Sequence, residues 1–327
     1  MQSLIKRLVG WILSPYRKRR ARDQCREKKL IKKLYNNSPC NMPVDVPEII
    51  YALDNRWERC GLADRLKGIV SCYAFAKAVD LPFKINHIFP FRFEEFLVPN
   101  KVNWILSDNE MTYCLKSAIP IVIMNRSKGD RIRGLPTNKQ LHFYTNVNFI
   151  PMINDLYGTK YDFKTLFNEL FNPSPLLIAL AEDHLKGIGG KFISVSFRFI
   201  GMLGDFEDGR DYVLKEDDQM SLISKCRNSI EFLHKKYQIY PVIFVTADSQ
   251  KFINNIKDIP YVYIIPGKIG HIGFCGQEEI QKTFLDFYMI SQADKVFLVK
   301  DNMMYNSIFS RTAAESTGKY FEVIEIN

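Results

Sequence analysis

An arginine closes a short apolar stretch of the sequence and is the first residue whose chemistry needs an explanation. The stretch ISVSFRF, residues 193–199, alternates apolar and small side chains and then places Arg198 between two phenylalanines. A guanidinium group buried there without a partner would be strongly unfavourable. Arg198 therefore either forms an ion pair with a nearby acid, such as Asp205 or Asp208, or binds an anionic ligand.

Three further polar clusters follow predicted strands in the same half of the chain. They are TADS at 246–249, the loop 267–276 containing His271, and the stretch 301–310 containing Ser307, Phe309 and Ser310. An arginine offers a planar fork of donors to phosphate oxygens, and hydroxyl and amide groups at helix N termini add further donors. The combination suits a phosphorylated ligand. TADS also fits a plain polar turn, and the serines also fit helix N-capping.

The elements that would position these clusters alternate regularly after Gly190. Strands are predicted at 192–197, 241–246, 261–265, 295–299 and 320–326, and helices at 219–237, 250–257, 278–292 and 307–317. This alternation predicts a parallel sheet with helices on both faces. In such a sheet ligands bind at the carboxyl ends of the strands, which is where the polar clusters fall.

The first half of the chain is less regular. A short strand is predicted at 48–53 and a helix at 64–79, with Asp64 as its N-cap. Residues 84–160 are rich in aromatic side chains and predict short strands and loops. The aromatic residues within 89–104 fit either hydrophobic packing or a surface on which sugar rings stack.

The net charge of +9 is concentrated at the amino terminus. Residues 1–33 contain twelve Lys or Arg and two acids, which leaves 33 bases and 34 acids in the rest of the chain. Leu8, Trp11 and Leu13 precede a basic block, a pattern typical of an amphipathic segment on an anionic membrane surface. The alternative is a solvated basic extension. The nearly neutral body argues against a nucleic-acid-binding protein.

Cysteine and histidine usage argues against a metal centre. The seven cysteines are odd in number and lack CxxC spacing, which predicts scattered thiols in a reducing compartment and no structural zinc. The five histidines have no metal-ligand spacing. The sequence also lacks GxxxxGK[ST], GxGxxG after a strand, and GxSxG, which argues against P-loop nucleotidases, nicotinamide dehydrogenases and α/β-hydrolases.

Four segments, taken in order, resemble the GT-B fucosyltransferase superfamily, which includes alpha-1,2, nodulation-type alpha-1,6 and protein O-fucosyltransferases. GLADRLKGIVSCYAFAKAVDLPF resembles the family's G-x-x-(N/D)-R-L segment, and ISVSFRF resembles its H-x-R-x-x-D strand. VIFVTADSQKF resembles the F-V-x-(T/S)-D-S stretch, and FLDFYMISQADKVFLVKDNMMYNSIFSRTAAESTG resembles the closing segment. Together they cover most of residues 60–326, and the closing segment is the most specific.

The resemblance implies roles for individual residues. Arg198 matches the arginine that contacts the GDP phosphates, and it would neutralise charge as the sugar departs. The candidate donor-binding residues are Arg198, Thr246, Asp248, Ser249, His271, Ser307, Phe309 and Ser310, and the candidate cleft residues are Gly61, Asp64 and Arg65. Arg198 and Asp205 are the candidate catalytic residues, with Asp208, Glu94 and Glu95 as other candidate bases.

The chain departs from the family pattern at three points. Ser196 stands where the family often has histidine, and Phe199 stands where it often has a second arginine. The acid that should follow closely is delayed to Asp205. These departures keep open a catalytically inactive relative that binds a nucleotide sugar or a glycan, and a transferase that uses another nucleotide sugar.

The resemblance implies an α/β protein of GT-B type, with two Rossmann-like domains facing a cleft. We divide the chain into a basic amphipathic arm (1–40), a probable acceptor domain (41–188) and a nucleotide-sugar donor domain (189–327). The implied activity is an inverting, metal-independent transfer of fucose from GDP-fucose to a glycan or lipid-linked acceptor in surface polysaccharide synthesis. We expect a cytoplasmic protein, peripheral on the inner face of the membrane through its arm.

Overall fold

The computed structural model describes residues 25–35, 47–53, 60–107, 110–124, 131–206, 212–273 and 275–326. These residues form two compact α/β units. The first takes the described residues up to 53 together with Asp64–Phe89 and Pro99–Leu170. The second takes 60–63, Pro90–Val98 and the described residues from Phe171 onward. The division of roles between an acceptor and a donor domain at 188/189 stays a prediction.

The strands and helices alternate along most of the described chain. The strands are β1 (Ile49–Leu53), β2 (Phe83–His87), β3 (Leu97–Pro99), β4 (Ala118–Ile123), β5 (Gln140–Thr145), β6 (Phe171–Pro173), β7 (Phe192–Phe197), β8 (Val242–Ala247), β9 (Val262–Tyr263), β10 (Lys295–Lys300) and β11 (Tyr320–Glu325). The helices are α1 (Leu62–Ala78), α2 (Ile150–Tyr157), α3 (Phe163–Leu170), α4 (Pro175–Ile188), α5 (Glu216–Lys236), α6 (Gln250–Ile256), α7 (Gln277–Gln292) and α8 (Phe309–Thr317). A 3-10 turn covers Phe93–Glu95, and the segment 25–35 is helical, ending in the π-helical turn Ile31–Tyr35.

The first unit contains a parallel sheet with the strand order β2-β1-β5-β4. Strands β1 and β5 are buried along their whole length, as expected for a parallel sheet covered on both faces. Helix α1 lies very close to this sheet, because a Cβ atom on Gly68 would collide with the carbonyl oxygen of Thr145. Glycine at 68 therefore brings α1 against the carboxyl end of β5.

The second unit contains a parallel sheet with the strand order β11-β10-β7-β8-β9. In the order of their appearance within this unit, these strands read 5-4-1-2-3. The direction of winding therefore reverses between β7 and β10, which is the topological switch point of a doubly wound sheet. Such a sheet places its ligand beside the carboxyl ends of those two strands.

Four expectations about the first half of the chain are corrected. The folded body does not begin near Asn41, because Leu30 and Tyr35 are buried in the core of the first unit. Asp64 is not an N-cap, because α1 already begins at Leu62; it lies in the first turn and pairs with Lys67 at 2.9 Å. The expectation of short strands and loops at 84–160 holds for β2 to β5 but fails at the helix α2. The expectation of free thiols fails at Cys114, which is disulfide-bonded.

The aromatic stretch is packing rather than a sugar-binding surface. Phe91, Phe93 and Phe96 are buried and surround the ring of Phe284 at centroid distances of 5.3, 5.7 and 4.3 Å. Trp104 is also fully buried, and its indole N–H donates to the carbonyl of Leu170 at 2.7 Å. The packing interpretation of these residues is therefore confirmed.

No helix in the described part of the chain has both the length and the apolar character needed to cross a bilayer. The predicted arm is largely outside the described residues, and its membrane role stays a prediction.

Candidate functional site

Three polar segments of the second unit meet at the carboxyl edge of its sheet. Arg198 follows β7 directly, Asp248 follows β8, and the segment 301–308 connects β10 to α8. The segment after β10 is bound to the end of β7, because the N–H of Tyr305 donates to the carbonyl of Arg198 at 3.2 Å. The switch point between β7 and β10 is therefore bordered by Arg198 on one side and by the approach to α8 on the other.

Arg198 is held by a buried carboxylate. Its Nη1 lies 3.2 Å from Oδ2 of Asp248, and its guanidinium carbon lies 4.6 Å from the ring centroid of Phe206. The side chain of Arg198 is 23% exposed whereas that of Asp248 is 4% exposed. The guanidinium of Arg198 is therefore partly exposed to solvent, while Asp248 and the ring of Phe206 fix its orientation.

Asp248 also fixes the backbone that follows Arg198. Its two carboxylate oxygens accept the N–H groups of Phe199 and Ile200, each at 2.7 Å. Burial raises the pKa of Asp248 above its ordinary value, while Arg198 and the two N–H groups oppose that shift. Among the described residues Arg198 thus pairs with Asp248, an acid that was not among its predicted partners. Asp208 lies outside the described residues.

The turn after Arg198 is strained. Ile200 has φ of 56°, a left-handed conformation that a β-branched residue rarely adopts. Its side chain is buried and its N–H is one of the two groups held by Asp248. Strain of this kind persists only where surrounding contacts impose it, and it concentrates at functional sites.

Ser310 presents a buried hydroxyl at the start of α8. It is the second residue of the helix and is fully buried, and its Oγ has no hydrogen-bond partner among the residues that the structure describes. The helix has no side-chain cap, although the Oγ of Ser307 accepts the N–H of Phe309 at 3.3 Å. The ring of Phe309 packs on Phe287 at a centroid distance of 5.6 Å. The backbone N–H groups and the dipole at a helix N terminus favour an anion, and a hydroxyl there can add a further donor.

The other residues predicted along β8 have structural partners. The hydroxyl of Thr246 bonds to that of Ser196 on the adjacent strand at 2.8 Å. Ser249 caps α6 by accepting the N–H of Phe252 at 3.1 Å, and its own hydroxyl donates to Asp205 at 2.9 Å.

Asp205 lies at the N terminus of α6. Besides the Ser249 hydroxyl, its Oδ2 accepts the backbone N–H of Lys251 at 2.6 Å. A carboxylate in this position stabilises the helix through its dipole. The residue is exposed, and its role as a general base stays a prediction.

His271 is held within its own loop. Its Nδ1 accepts the N–H of Gly273 at 3.1 Å, and its carbonyl accepts the N–H of Cys275 at 3.1 Å. The half-buried imidazole therefore has a local structural use, and its part in donor binding stays a prediction.

The predicted cleft residues surround the start of α1. Gly61 immediately precedes the helix, and Asp64 and Arg65 occupy its first turn. Arg65 is 1% exposed, and its Nη1 lies 2.7 Å from Nε2 of His87 at the end of β2. His87 is a partner that the sequence analysis did not single out. Its position at the carboxyl end of a buried strand was the feature of the sequence that could have indicated it.

The described residues contain no group of three or more His, Cys, Asp or Glu side chains placed to bind a metal ion. At the carboxyl edge of the second sheet they place a paired arginine after β7 and a buried serine hydroxyl at the N terminus of α8, and the chemistry of both groups suits an anion.

Comparison with solved structures identifies the fold. No protein-family model matches the sequence, and no curated protein matches it significantly. The fold is similar to that of a point mutant of Arabidopsis thaliana FUT1 in complex with GDP, with a TM-score of 0.53 and 14% identity over 90% of this chain and 73% of that one. It is equally similar to the alpha-1,6-fucosyltransferase NodZ crystallised with GDP, with a TM-score of 0.52 and 14% identity over 82% of this chain and 91% of that one. NodZ from Bradyrhizobium gives the same TM-score and identity.

The chain therefore has the α/β fold of GT-B fucosyltransferases, as the order of its motifs predicted. At 14% identity the likeness establishes the fold alone.

Proposed function

We propose that the protein is a glycosyltransferase that binds GDP-fucose through its second unit. The observation that carries this proposal is the fully buried hydroxyl of Ser310 at the N terminus of α8, for which the described part of the chain supplies no hydrogen-bond partner. It lies beyond the loop that bonds to Arg198, at the switch point of the sheet. A diphosphate would satisfy the hydroxyl and the helix N terminus at once. The fold-level relatives FUT1 and NodZ were crystallised with GDP, which supports the choice of nucleotide.

The proposed chemistry is an inverting transfer to a hydroxyl of a glycan or lipid-linked acceptor. As the sugar–phosphate bond breaks, negative charge develops on the departing diphosphate. Arg198 and Ser310 would stabilise that charge from fixed positions, because Asp248 and the strand ends hold the guanidinium before the ligand arrives. A general base would remove the proton of the acceptor hydroxyl. Asp205 is the candidate, and it would have to act while its other contacts hold the start of α6.

We further propose that the acceptor belongs to a surface polysaccharide or glycolipid and that the protein works at the cytoplasmic face of the membrane. The basic, amphipathic sequence of residues 1–24 supports this placement. The reaction as proposed uses no bound metal, since arginine and a helix N terminus would neutralise the diphosphate.

A second candidate is a relative that binds a nucleotide sugar without turning it over. The contacts that two proposed catalytic residues already make favour this candidate. Arg198 is paired with Asp248, and Asp205 caps α6. Ser196, in the place where the family often has histidine, is engaged with Thr246 inside the sheet.

Calorimetric titration tests the proposal. The full chain is titrated with GDP, GDP-fucose, GDP-mannose and UDP, beside Arg198→Ala and the control Arg227→Ala. Arg227 is exposed on α5, and its guanidinium donates a long 3.4 Å bond to the carbonyl of Asn255. We expect GDP binding that Arg198→Ala weakens and Arg227→Ala leaves unchanged. A folded wild-type protein that binds none of the nucleotides would refute both candidates.

Turnover separates the two candidates. GDP release from GDP-fucose is followed in the presence of a panel of glycan and glycolipid acceptors. Acceptor-dependent release supports the transferase, whereas tight binding with no release on any acceptor favours the binding protein.

A further inference from the structure

The helical segment 25–35 packs on the first unit by one face. Leu30 and Tyr35 are 1% and 2% exposed and belong to a core cluster with Ala118, Val122 and Tyr144. The hydroxyl of Tyr35 lies 2.7 Å from Nδ1 of His142 and 3.1 Å from the hydroxyl of Tyr144. The segment is thus a fixed part of the first unit rather than a loose extension.

The acid of this segment, Glu27, also faces the first unit. Glu27 pairs with Arg131 and accepts the N–H of Val122 at 3.2 Å. Arg131 in turn donates to the carbonyl of Val122 at 2.6 Å. Because Glu27 is the one acid among residues 25–35, the opposite face of the segment carries no negative side chain of its own.

The π-helical turn separates the two faces. In a regular α-helix Tyr35 would lie two turns after Lys28 and therefore on the same face as it. The wider turn Ile31–Tyr35 holds more residues and rotates Tyr35 toward the core. As a result, all four lysines of the segment are exposed on one face. They form two pairs on successive turns: Lys28 with Lys29, and Lys32 with Lys33. We call these four residues the lysine face.

We infer that the lysine face is a docking surface for an anionic lipid bilayer. Clustered lysines held on one rigid face attract anionic headgroups, and each adds to the affinity. Two observations favour a membrane over nucleic acid. The chain outside residues 1–33 has 33 bases and 34 acids, so no basic groove is expected to extend the site. The segment that directly precedes it in sequence carries Leu8, Trp11 and Leu13, which suit a lipid interface.

The docked helix adds a property that a flexible arm lacks. Because Tyr35 and Glu27 fix it to the sheet, lipid binding through the lysine face would set the orientation of the first unit on the bilayer. The inference does not depend on the nucleotide site, since none of these residues belongs to the second unit.

Vesicle co-sedimentation of the full chain tests the inference. The probes are vesicles of phosphatidylcholine alone and vesicles containing about one third phosphatidylserine, which carry the anionic surface charge. The test variant is Lys28→Gln/Lys29→Gln/Lys32→Gln/Lys33→Gln. The control Lys160→Gln/Lys164→Gln/Lys186→Gln/Lys191→Gln removes four other exposed lysines. We expect the test variant to lose at least about tenfold in affinity for anionic vesicles, and the control to retain it.

A third variant with arginine at the same four positions keeps the charge and should bind like wild type, which separates charge from folding. Equal binding by the test variant and wild type would overturn the inference, since residues 1–24 alone would then carry the interaction. Wild type that ignores anionic vesicles would overturn it as well. Tighter binding of the wild type to duplex DNA than to vesicles at equal salt would also overturn the inference, if the test variant lost affinity for that DNA.

Discussion

Nη1 of Arg198 lies 3.2 Å from Oδ2 of Asp248, and the same carboxylate accepts the N–H groups of the two residues that follow the arginine. One acidic side chain from the end of β8 therefore fixes both the charge and the backbone at the end of β7. In the proposed site Asp248 would hold the phosphate-binding arginine in place, and a direct part for Asp248 in donor binding stays a prediction.

Replacing the carboxylate should be costly for folding. We expect Asp248→Asn to lower the free energy of unfolding by about 2–4 kcal/mol, because the ion pair with Arg198 is lost and one N–H group loses its acceptor. Asp301→Asn is the control: Asp301 also accepts two N–H groups, from Met303 and Met304, but is less buried. We expect it to lose about 1 kcal/mol in urea denaturation. Equal losses would show that the ion pair adds nothing.

Replacing Ser310, unlike replacing Asp248, should not lower the stability of the protein. Because its buried Oγ bonds to none of the described residues, Ser310→Ala should leave the free energy of unfolding unchanged or raise it by about 1 kcal/mol. The same substitution should weaken GDP binding about tenfold, since a hydrogen bond to a charged group is lost. Ser316→Ala in the same helix removes a hydroxyl bonded to Ala313 at 2.8 Å and should lower stability without affecting GDP. Undiminished GDP binding by Ser310→Ala would remove the main support for the site.

Docking of the segment 25–35 should depend on one hydroxyl. We expect Tyr35→Phe to lower the free energy of unfolding by about 1–2 kcal/mol, because the ring nitrogen of His142 and the Tyr144 hydroxyl lose a buried partner. Burial lowers the pKa of His142 to about 3, so the imidazole stays neutral and cannot compensate by ionising. Tyr212→Phe, at a position that is 60% exposed, should have no effect in the same urea titration.

A buried acid should make the protein less stable at higher pH. Burial raises the pKa of Glu48 from 4.5 to about 7, with Glu110 adding to the shift. Between these two values the folded state holds more protons than the unfolded state, so stability falls as pH rises through that window. Glu48→Gln should remove this slope and raise stability at pH 8 by up to about 3 kcal/mol.

Chemical denaturation of the wild type and Glu48→Gln at pH 5 and pH 8 measures the effect. Glu182→Gln, on the exposed face of α4, is the control and should keep the wild-type slope. A slope that survives in Glu48→Gln would assign the pH dependence to another group.

Local patterns predicted the second sheet well. The bounds of β7 were predicted correctly, and β10 was predicted to within one residue, because fully buried parallel strands read as continuous apolar runs bounded by turns. The strand β4 was not recognised, because Pro120 interrupts its pattern. Proline is tolerated there because β4 lies at the edge of its sheet.

The strand ends that carry the candidate residues were predicted, but the contacts between those residues were not. The residue types at the strand ends pointed to Arg198, Asp248 and Ser310. Which acid pairs with Arg198 depends on the pairing of β7 with β8, a contact between distant parts of the sequence that no local pattern encodes. The disulfide at Cys114 escaped prediction for the same reason.

The carboxylate that joins β7 to β8 has a consequence for any attempt to move this site to another protein. The position of the guanidinium is set by the register of two neighbouring strands, in which Phe197 stands opposite Ala247, and not by the short loop that carries Arg198. A graft of the arginine loop alone would carry the charge without its alignment. Both strand ends, with the acid on one and the arginine on the other, form the smallest transferable unit.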